Sequence, residues 1–173
     1  HYPCQRAQPS QFWEVRPALK FWADEDFSTQ GGDWNGGSCW GRTLLQNYVR
    51  LNATATISWS TLWSVYDSGH FFGNGLMYAY QPWSGNYTVP PAIWTSAHVN
   101  QFAAPGWFYL AAGNNSGLLP AGGSWTAMVS PPGTAPSFPS SLSTSANATN
   151  DTVQFSLMLE KLEGDCLRCK VGA

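Results

Sequence analysis

The sequence predicts an α/β part followed by an antiparallel β part, with the change near residue 104. Two observations support this fold class. Residues 18–63 show the pattern of a strand, a helix and a second strand, which together make one β-α-β unit. From Gly106 onward, short apolar and β-branched runs alternate with turn residues, which is typical of antiparallel strands.

The β-α-β unit begins with Ala18 to Ala23, a run that is mostly apolar on both faces like a buried parallel strand. Four glycines within residues 31–37 indicate a flexible loop. Ser38 is a suitable N-cap, and Cys39 to Arg50 has one apolar face at helical spacing. Thr54 to Trp63, rich in β-branched and aromatic residues, is the predicted second strand.

The rest of the chain contains one more helix and several short strands. Residues 67–90 are predicted as a long loop, and Pro90-Pro91 opens a helix that continues to about Phe102. Residues 131–151 are rich in Pro, Ser, Thr and Ala, which indicates an exposed loop. The predicted antiparallel strands are Trp107–Ala112, Ser124–Ser130 and Val153–Leu162.

The composition excludes several classes of partner. Charged residues make up 10% of the chain, aromatic residues 15%, and the net charge is −2. Without a basic cluster, nucleic acid and anionic membrane surfaces are not expected partners. No apolar run approaches the roughly 18 residues of a membrane span. Flat aromatic rings with few charges suit sugar recognition, and an aromatic-rich core is the alternative.

Sequons and cysteines favour the secretory pathway. The four cysteines suit structural disulfides in an oxidising compartment, although Cys166-x-x-Cys169 leaves a redox pair as an alternative. Histidine and cysteine spacing matches no metal site, and no cofactor is expected. The five N-x-[ST] sequons begin at Asn52, Asn86, Asn114, Asn147 and Asn150.

Three consecutive acids, Asp24, Glu25 and Asp26, follow the first predicted strand and precede the Gly-rich loop. Barrels of alternating strands and helices often present catalytic acids in this way, whereas a solvated strand end is the simpler alternative. Alternation along an extended chain places Asp24 and Asp26 on the face opposite Glu25. We therefore expect the two aspartates to cap the turn or accept backbone N–H groups.

One β-α-β unit cannot close a barrel, which needs eight strands. The chain is therefore either a small α+β protein or a segment of a longer one. The abrupt start at His1 favours the segment.

Ordered motifs along the chain carry a family likeness. They are His1-Tyr2-Pro3, Trp22 to Thr29, Gly37 to Arg42, Gln46-Asn47-Tyr48, Gln81 to Gly85, Trp94 to His98 and Gln101 to Leu110. Together they closely resemble the galactosylceramidases of glycoside hydrolase family 59. The likeness runs from residue 1 to about 130, weakens after Pro131 and resumes near Val153.

The resemblance implies the last strands of a TIM (β/α)8 barrel followed by part of a β-sandwich, with a lectin-like domain further on. Residues 1–104 would complete the catalytic barrel, and residues 105–173 would belong to the sandwich. His1-Tyr2-Pro3 would lie on the sixth barrel strand, Ala18–Asp24 on the seventh and Thr54–Trp63 on the eighth.

The resemblance also implies a catalytic role for Glu25. Family members are retaining enzymes with two carboxylates roughly 5 Å apart, and the nucleophile ends the seventh strand, at Glu25 here. The acid/base glutamate ends the fourth strand, which residues 1–173 do not include. We therefore expect this chain to be inactive alone.

Three further residues match positions that bind substrate in the family. Ser28 follows the nucleophile and would bond the sugar or orient Glu25. Trp59 would stack on the sugar, with a place in the core as the alternative. Arg168 lies in Cys166-Leu167-Arg168, which resembles a segment whose arginine reaches the active site, although the stretch before it is shorter here.

The resemblance also implies a disulfide between Cys39 and Cys166, which would tie the helix after the nucleophile strand to the sandwich. Closing so long a loop is worth roughly 4 kcal/mol in the chain-entropy model. Cys4 has no counterpart in the family, which leaves Cys4 and Cys169 as a second predicted pair.

The function implied is hydrolysis of β-galactosyl lipids such as galactosylceramide, through a covalent galactosyl-enzyme intermediate, in the lysosome or outside the cell. Expected partners are the lipid, the remainder of the polypeptide and an activator protein that presents the lipid. Gln81 and Phe71 differ from the usual family residues, so a related β-glycosidase of other specificity is one alternative. A secreted glycoprotein module that keeps the fold without catalysis is another.

Overall fold

The acidic run lies in a β-α-β unit. The computed structural model describes residues 19–26, 34–66, 75–111, 115–120, 122–134 and 153–161. Strands β1 (Phe21–Asp26) and β2 (Ala53–Ser58) are parallel neighbours, and helix α1 (Trp34–Leu51) connects them. The predicted β-α-β unit is confirmed, and the chain is a mixed α/β structure with several small sheets.

The bounds of β1 differ from the prediction. The strand begins at Phe21 instead of Ala18 and ends at Asp26, so the three acids lie within it rather than after it. Pairing with β2 continues as far as Asp26 and Ser58. Backbone hydrogen bonds between paired strands can keep residues of low strand propensity, such as these acids, in a strand.

Helix α1 begins at Trp34, well before the predicted start at Cys39, and includes two glycines assigned to a loop. Helix α2 (Pro91–Gln101) packs against it and starts at Pro91, as predicted. A Cβ atom at Gly37 would lie only 2.7 Å from the Cβ of Pro91. The glycine therefore permits the close approach of the two helices.

The predicted strand Thr54–Trp63 is wrong, because it is two strands in two sheets. β2 ends at Ser58, a cis peptide joins Trp59 to Ser60, and β3 (Leu62–Val65) pairs with a different neighbour. The β-rich composition continues through Trp63, so the sequence pattern does not reveal this break.

The predicted loop 67–90 is also wrong in part. It contains β4 (Met77–Tyr80), a 3-10 helix (Pro82–Ser84) and β5 (Asn86–Thr88). β4 is parallel to β3 and antiparallel to β5, which makes a three-stranded sheet. Strands this short give too few alternating positions to be recognised from sequence.

The antiparallel sheet is built on the central strand β8 (Ser124–Val129). β9 (Phe155–Glu160) pairs along one edge of β8, and β6 (Phe108–Tyr109) and β7 (Ser116–Leu118) pair along the other. The three predicted strands of this region are confirmed with shorter bounds. β7 was not predicted, because Ser-Gly-Leu lacks a strand signal.

Helix α1 packs against both α2 and the antiparallel sheet. The two apolar clusters on its sides are centred on Trp40, Leu76 and Ala92 and on Leu45, Met128 and Met158. The ring of Tyr48 stacks on Tyr109 with centroids 3.9 Å apart, and its hydroxyl donates to the carbonyl oxygen of Leu110 at 3.0 Å. The helix that follows the acidic strand is thereby fixed against the sheet.

The structure offers no membrane-crossing helix within its described ranges, since none is both long and apolar enough.

Candidate active site at the ends of two parallel strands

Glu25 is exposed near the carboxyl end of β1, and its backbone lies in the left-handed region with φ 58°. Residues other than Gly, Asn and Asp seldom adopt this conformation. The pairing with β2 is irregular between Ala23 and Asp26, so side chains do not alternate strictly there. Asp24 is exposed like Glu25, whereas Asp26 is half-buried. The two aspartates therefore have different environments, although alternation predicts that they lie on the same face.

Asp26 is held from two sides. The side-chain amide of Asn47, on α1, donates to Oδ2 of Asp26 at 2.6 Å and to Oγ1 of Thr56 at 3.0 Å. The backbone N–H of Trp59 donates to the carbonyl oxygen of Asp26 at 2.5 Å. Burial raises the pKa of the Asp26 carboxyl, and the hydrogen bond from Asn47 opposes this rise. Asp26 thus links the ends of β1 and β2 to the helix between them.

Trp59 follows β2 directly, and 53% of its surface is exposed. Thr56 accepts a hydrogen bond from Asn47 and therefore faces α1. Because side chains alternate along a strand, Ala55 and Ile57 lie on the other face of β2. Ile57 is also exposed, which extends an apolar stripe toward Trp59. The exposed carboxylate of Glu25 therefore lies near the carboxyl end of β1, and the exposed indole of Trp59 lies just past the carboxyl end of its neighbour β2. Asp26 links the two strand ends.

A second polar cluster lies where α1 meets the antiparallel sheet. Arg42 donates through Nη2 to the carbonyl oxygen of Gly122 at 2.7 Å, and its Nε lies 3.7 Å from Oε2 of Glu160. Ser124 Oγ donates to Oε1 of Glu160 at 2.7 Å, and Gln46 Nε2 donates to the same oxygen at 3.4 Å. The charged side chains are only 9% and 10% exposed, so this is a buried ion pair.

Comparison with known proteins identifies the family. The model of glycosyl hydrolase family 59 matches residues 1–101. The chain belongs to glycosyl hydrolase family 59.

Galactocerebrosidases from several species match most of this chain. It is 46% identical to the galactocerebrosidase of Danio rerio over 128 residues, 74% of this chain and 18% of that protein. It is 47% identical to the galactocerebrosidase of Salmo salar over the same share of each chain. Against the galactocerebrosidase of Homo sapiens it is 46% identical over 109 residues, 63% of this chain and 15% of the relative. The chain thus spans less than a fifth of the length of these proteins.

The resemblance to family 59 is therefore confirmed, and the structure describes some of the residues that it marks. Glu25 and Trp59 lie at neighbouring strand ends. Ser28 and Arg168 fall outside the described residues, so their roles stay predictions. Cys39 is disulfide-bonded. Its predicted pairing stays untested, because the other three cysteines, Cys4, Cys166 and Cys169, also lie outside the described residues.

Two of the five sequon asparagines, Asn52 and Asn86, lie within the described residues. Asn114, Asn147 and Asn150 lie outside them. Among the described parts of the chain, no three His, Cys, Asp or Glu side chains converge as a metal site would require.

Asn47 is the residue that sequence reasoning missed. It appears in the motif Gln46-Asn47-Tyr48, where the helix also carries its apolar face. Gln46 and Asn47 are both buried, although amide side chains usually lie at the surface of a helix. Two amides adjacent to an apolar face are a signal for buried hydrogen bonding, but the acceptors come from distant strands and cannot be read from the helix itself.

Proposed function

We propose that this chain contributes the nucleophile half of the active site of a retaining β-galactosidase that hydrolyses galactosyl lipids such as galactosylceramide. The observation that carries the proposal is Glu25, an exposed carboxylate near the end of a parallel strand whose neighbour ends just before the exposed Trp59. Membership of family 59 and the names of the galactocerebrosidase relatives support the substrate class.

The proposed chemistry follows from the carboxylate. Glu25 attacks the anomeric carbon of galactose, the bond from that carbon to the aglycone oxygen breaks, and a galactosyl ester forms. A second carboxyl group, which the family likeness assigns to an earlier barrel strand, protonates the leaving oxygen. Water then attacks the anomeric carbon while that second group removes a proton from the water, and the bond from the anomeric carbon to the Glu25 oxygen breaks. Galactose leaves with its anomeric configuration retained, and Glu25 is free again.

Trp59 is suited to the sugar itself, because a flat indole can cover the apolar face of a pyranose ring. Asp26 and Asn47 are proposed to hold the strand ends rather than to react. In this scheme Ser28 and Arg168 complete the sugar site, and disulfides Cys39–Cys166 and Cys4–Cys169 fix Arg168 near Glu25.

We propose that residues 1–104 form the last strands of a TIM barrel and that residues 105–173 form part of a β-sandwich. The parallel pair β1–β2 with its crossover helix supports the barrel. The outer face of the antiparallel sheet supports the sandwich, because Phe155, Leu157 and Leu159 alternate with buried residues and are each more than half exposed. Such a face suits a second sheet packed on it. The partner that completes both domains is the remainder of the polypeptide.

The proposed location is the secretory pathway, ending in the lysosome or outside the cell, where a lipid-presenting activator protein would deliver the substrate. The disulfide at Cys39 supports an oxidising compartment.

The deciding experiment traps the intermediate. The full polypeptide that carries this chain is treated with a 2-deoxy-2-fluoro-β-galactoside bearing a good leaving group, and its peptides are mapped by mass spectrometry. We expect the fluorosugar on Glu25, and Glu25→Gln should lose activity by roughly 10⁴-fold or more. Asp24→Asn is the matched control, because Asp24 is an equally exposed neighbour on the same strand.

Label on another residue would contradict the nucleophile assignment. Absence of both label and hydrolysis in the full polypeptide would favour the secreted glycoprotein module that keeps the fold without catalysis. Equal trapping by fluorosugars other than galactose would favour a related β-glycosidase.

A further inference from the structure

The turn between β4 and β5 has a well-defined structure. Tyr80 and Asn86 are directly opposite each other in the antiparallel pair. Between them, Gln81 and Gly85 take left-handed backbone conformations with φ 46° and 73°. The hydroxyl of Ser84 donates to the carbonyl oxygen of Tyr80 at 2.7 Å and accepts the backbone N–H of Asn86 at 3.0 Å. The turn is thus held by its own hydrogen bonds.

Trp83 lies at the tip of this turn with 94% of its surface exposed. Tryptophan usually buries most of its large apolar area, so such exposure indicates a surface that something else covers. Residues 75–89, which form the turn and its flanking strands, contain no charged side chain. The covering group is therefore expected to be neutral and to offer C–H groups to an aromatic ring.

The same turn carries a sequon, Asn86-Tyr87-Thr88, three residues after Trp83. Alternation along β5 puts Asn86 and Thr88 on one face and Tyr87 on the other. Tyr80 lies across the strand pair from Asn86, on the same face, and is exposed. The exposed sequon asparagine therefore has Tyr80 on its own face of the strand pair and lies three residues after the exposed Trp83.

We propose that Asn86 carries an N-linked oligosaccharide and that Trp83, with Tyr80 across the strand pair, packs against its first sugar. N-acetylglucosamine has a face of C–H groups that an indole ring can cover, which removes both surfaces from water. The inference rests on the secretory location proposed above, but it does not depend on catalysis by Glu25.

The modification is a glycosyl transfer from a polyprenyl diphosphate oligosaccharide, the usual donor class of the secretory pathway. A bond forms between Nδ2 of Asn86 and C1 of the first N-acetylglucosamine. The bond between C1 and the diphosphate oxygen breaks, Nδ2 loses one proton, and the polyprenyl diphosphate leaves. The side chain remains a neutral amide.

Asn52, the other sequon asparagine that the structure describes, has a different environment. It is half-buried between α1 and β2, with φ 53°, and its backbone N–H donates to the carbonyl oxygen of Tyr48 at 2.8 Å. The next residue, Ala53, is buried. A sugar on Asn52 would have to leave a helix–strand junction, whereas a sugar on Asn86 leaves the exposed first residue of β5.

The first test is occupancy. The full polypeptide is secreted from glycosylating eukaryotic cells and digested with a protease. Its peptides are then deglycosylated with peptide-N-glycosidase in water enriched in ¹⁸O, which converts each former glycan-bearing asparagine to an ¹⁸O-marked aspartate. We expect the mark on Asn86 in most molecules and none after Asn86→Gln. An unmodified Asn86 in the secreted protein overturns the proposal. If Trp83→Ala then weakens binding to neutral galactolipid vesicles, the turn contacts lipid instead.

The second test is the packing of the sugar on Trp83. The melting temperature is measured with the glycan intact and after removal with peptide-N-glycosidase, in the native protein, Trp83→Ala and Tyr87→Ala. Tyr87 is the matched control, an exposed aromatic residue of the same turn that points to the opposite face. We expect removal to lower Tm by about 2–4 °C in the native protein and Tyr87→Ala, and by clearly less in Trp83→Ala. An equal decrease in all three proteins overturns the packing.

Discussion

The buried ion pair between Arg42 and Glu160 predicts a large and local loss of stability when one partner is removed. Arg42→Met would leave the Glu160 carboxylate almost fully buried, with Ser124 and Gln46 as hydrogen-bond donors but without the opposing charge. It would also leave the carbonyl oxygen of Gly122 without the Nη2 donor at 2.7 Å. Breaking a buried pair in this way costs about 3–5 kcal/mol. The loss should appear where α1 meets β8 and β9.

Hydrogen exchange followed by mass spectrometry measures this loss peptide by peptide. A decrease of about 3 kcal/mol in local opening free energy corresponds to exchange more than about 100-fold faster in peptides from β8 and β9. Lys161→Met is the matched control, because Lys161 also donates to a carbonyl oxygen of the same loop, that of Pro120 at 3.1 Å, but is exposed. The control should change stability by less than about 0.5 kcal/mol.

The double variant Arg42→Met/Glu160→Leu separates the charge from the packing. Replacing both partners by apolar side chains should recover most of the lost stability, because no uncompensated charge stays buried. If Arg42→Met exchanges no faster than Lys161→Met, the pair does not hold the sheet on the helix and the reasoning is refuted.

Further predictions concern the strand ends and the helix contact. Because burial raises the pKa of Asp26 above its unfolded value, its contribution to stability is complete below about pH 4 and is lost as the pH rises through the folded pKa; Asp26→Asn should flatten this decrease in urea titrations across pH 3–8. Asn47→Ala removes the bond that opposes the rise, so stability at pH 7 should fall by about 1–3 kcal/mol, and an unchanged midpoint would contradict the structural role. Gly37→Ala should lower stability by about 1–3 kcal/mol although alanine favours helices, because its Cβ meets Pro91; a raised Tm would show that the helices separate at no cost. In the full polypeptide, Trp59→Ala should lower kcat/KM for galactosides by roughly 10-fold or more while Tm stays within a few degrees, and unchanged kinetics would remove Trp59 from the sugar site.

Local patterns predicted those elements whose signals lie within a few residues of each other. The start of α2 at Pro91 and the unit β1–α1–β2 follow from helical spacing, a proline at the first helical turn and apolar runs. The bounds failed where distant partners decide them. Gly36 and Gly37 favour a loop by propensity, yet they are helical because Pro91 packs against that turn of α1. The run Thr54–Trp63 is divided because its two halves pair with different strands.

The candidate site likewise contains residues that local patterns reveal and residues that depend on distant partners. Glu25 was recognisable from the acidic run and the family motif around it, because the carboxylate and its neighbours are contiguous in sequence. Asn47 was not, since its acceptors Asp26 and Thr56 belong to strands on either side of the helix.

The α/β-to-β order of the chain, its membership of family 59 and the candidate nucleophile can all be inferred from local patterns, because motifs and propensities are properties of neighbouring residues. Three features emerge only in the folded chain: Asp26 joins two strand ends to α1, Arg42 and Glu160 form a buried pair, and Trp83 is exposed near a sequon. Burial and hydrogen-bond partners depend on which distant segments fold together, and no local pattern records that choice.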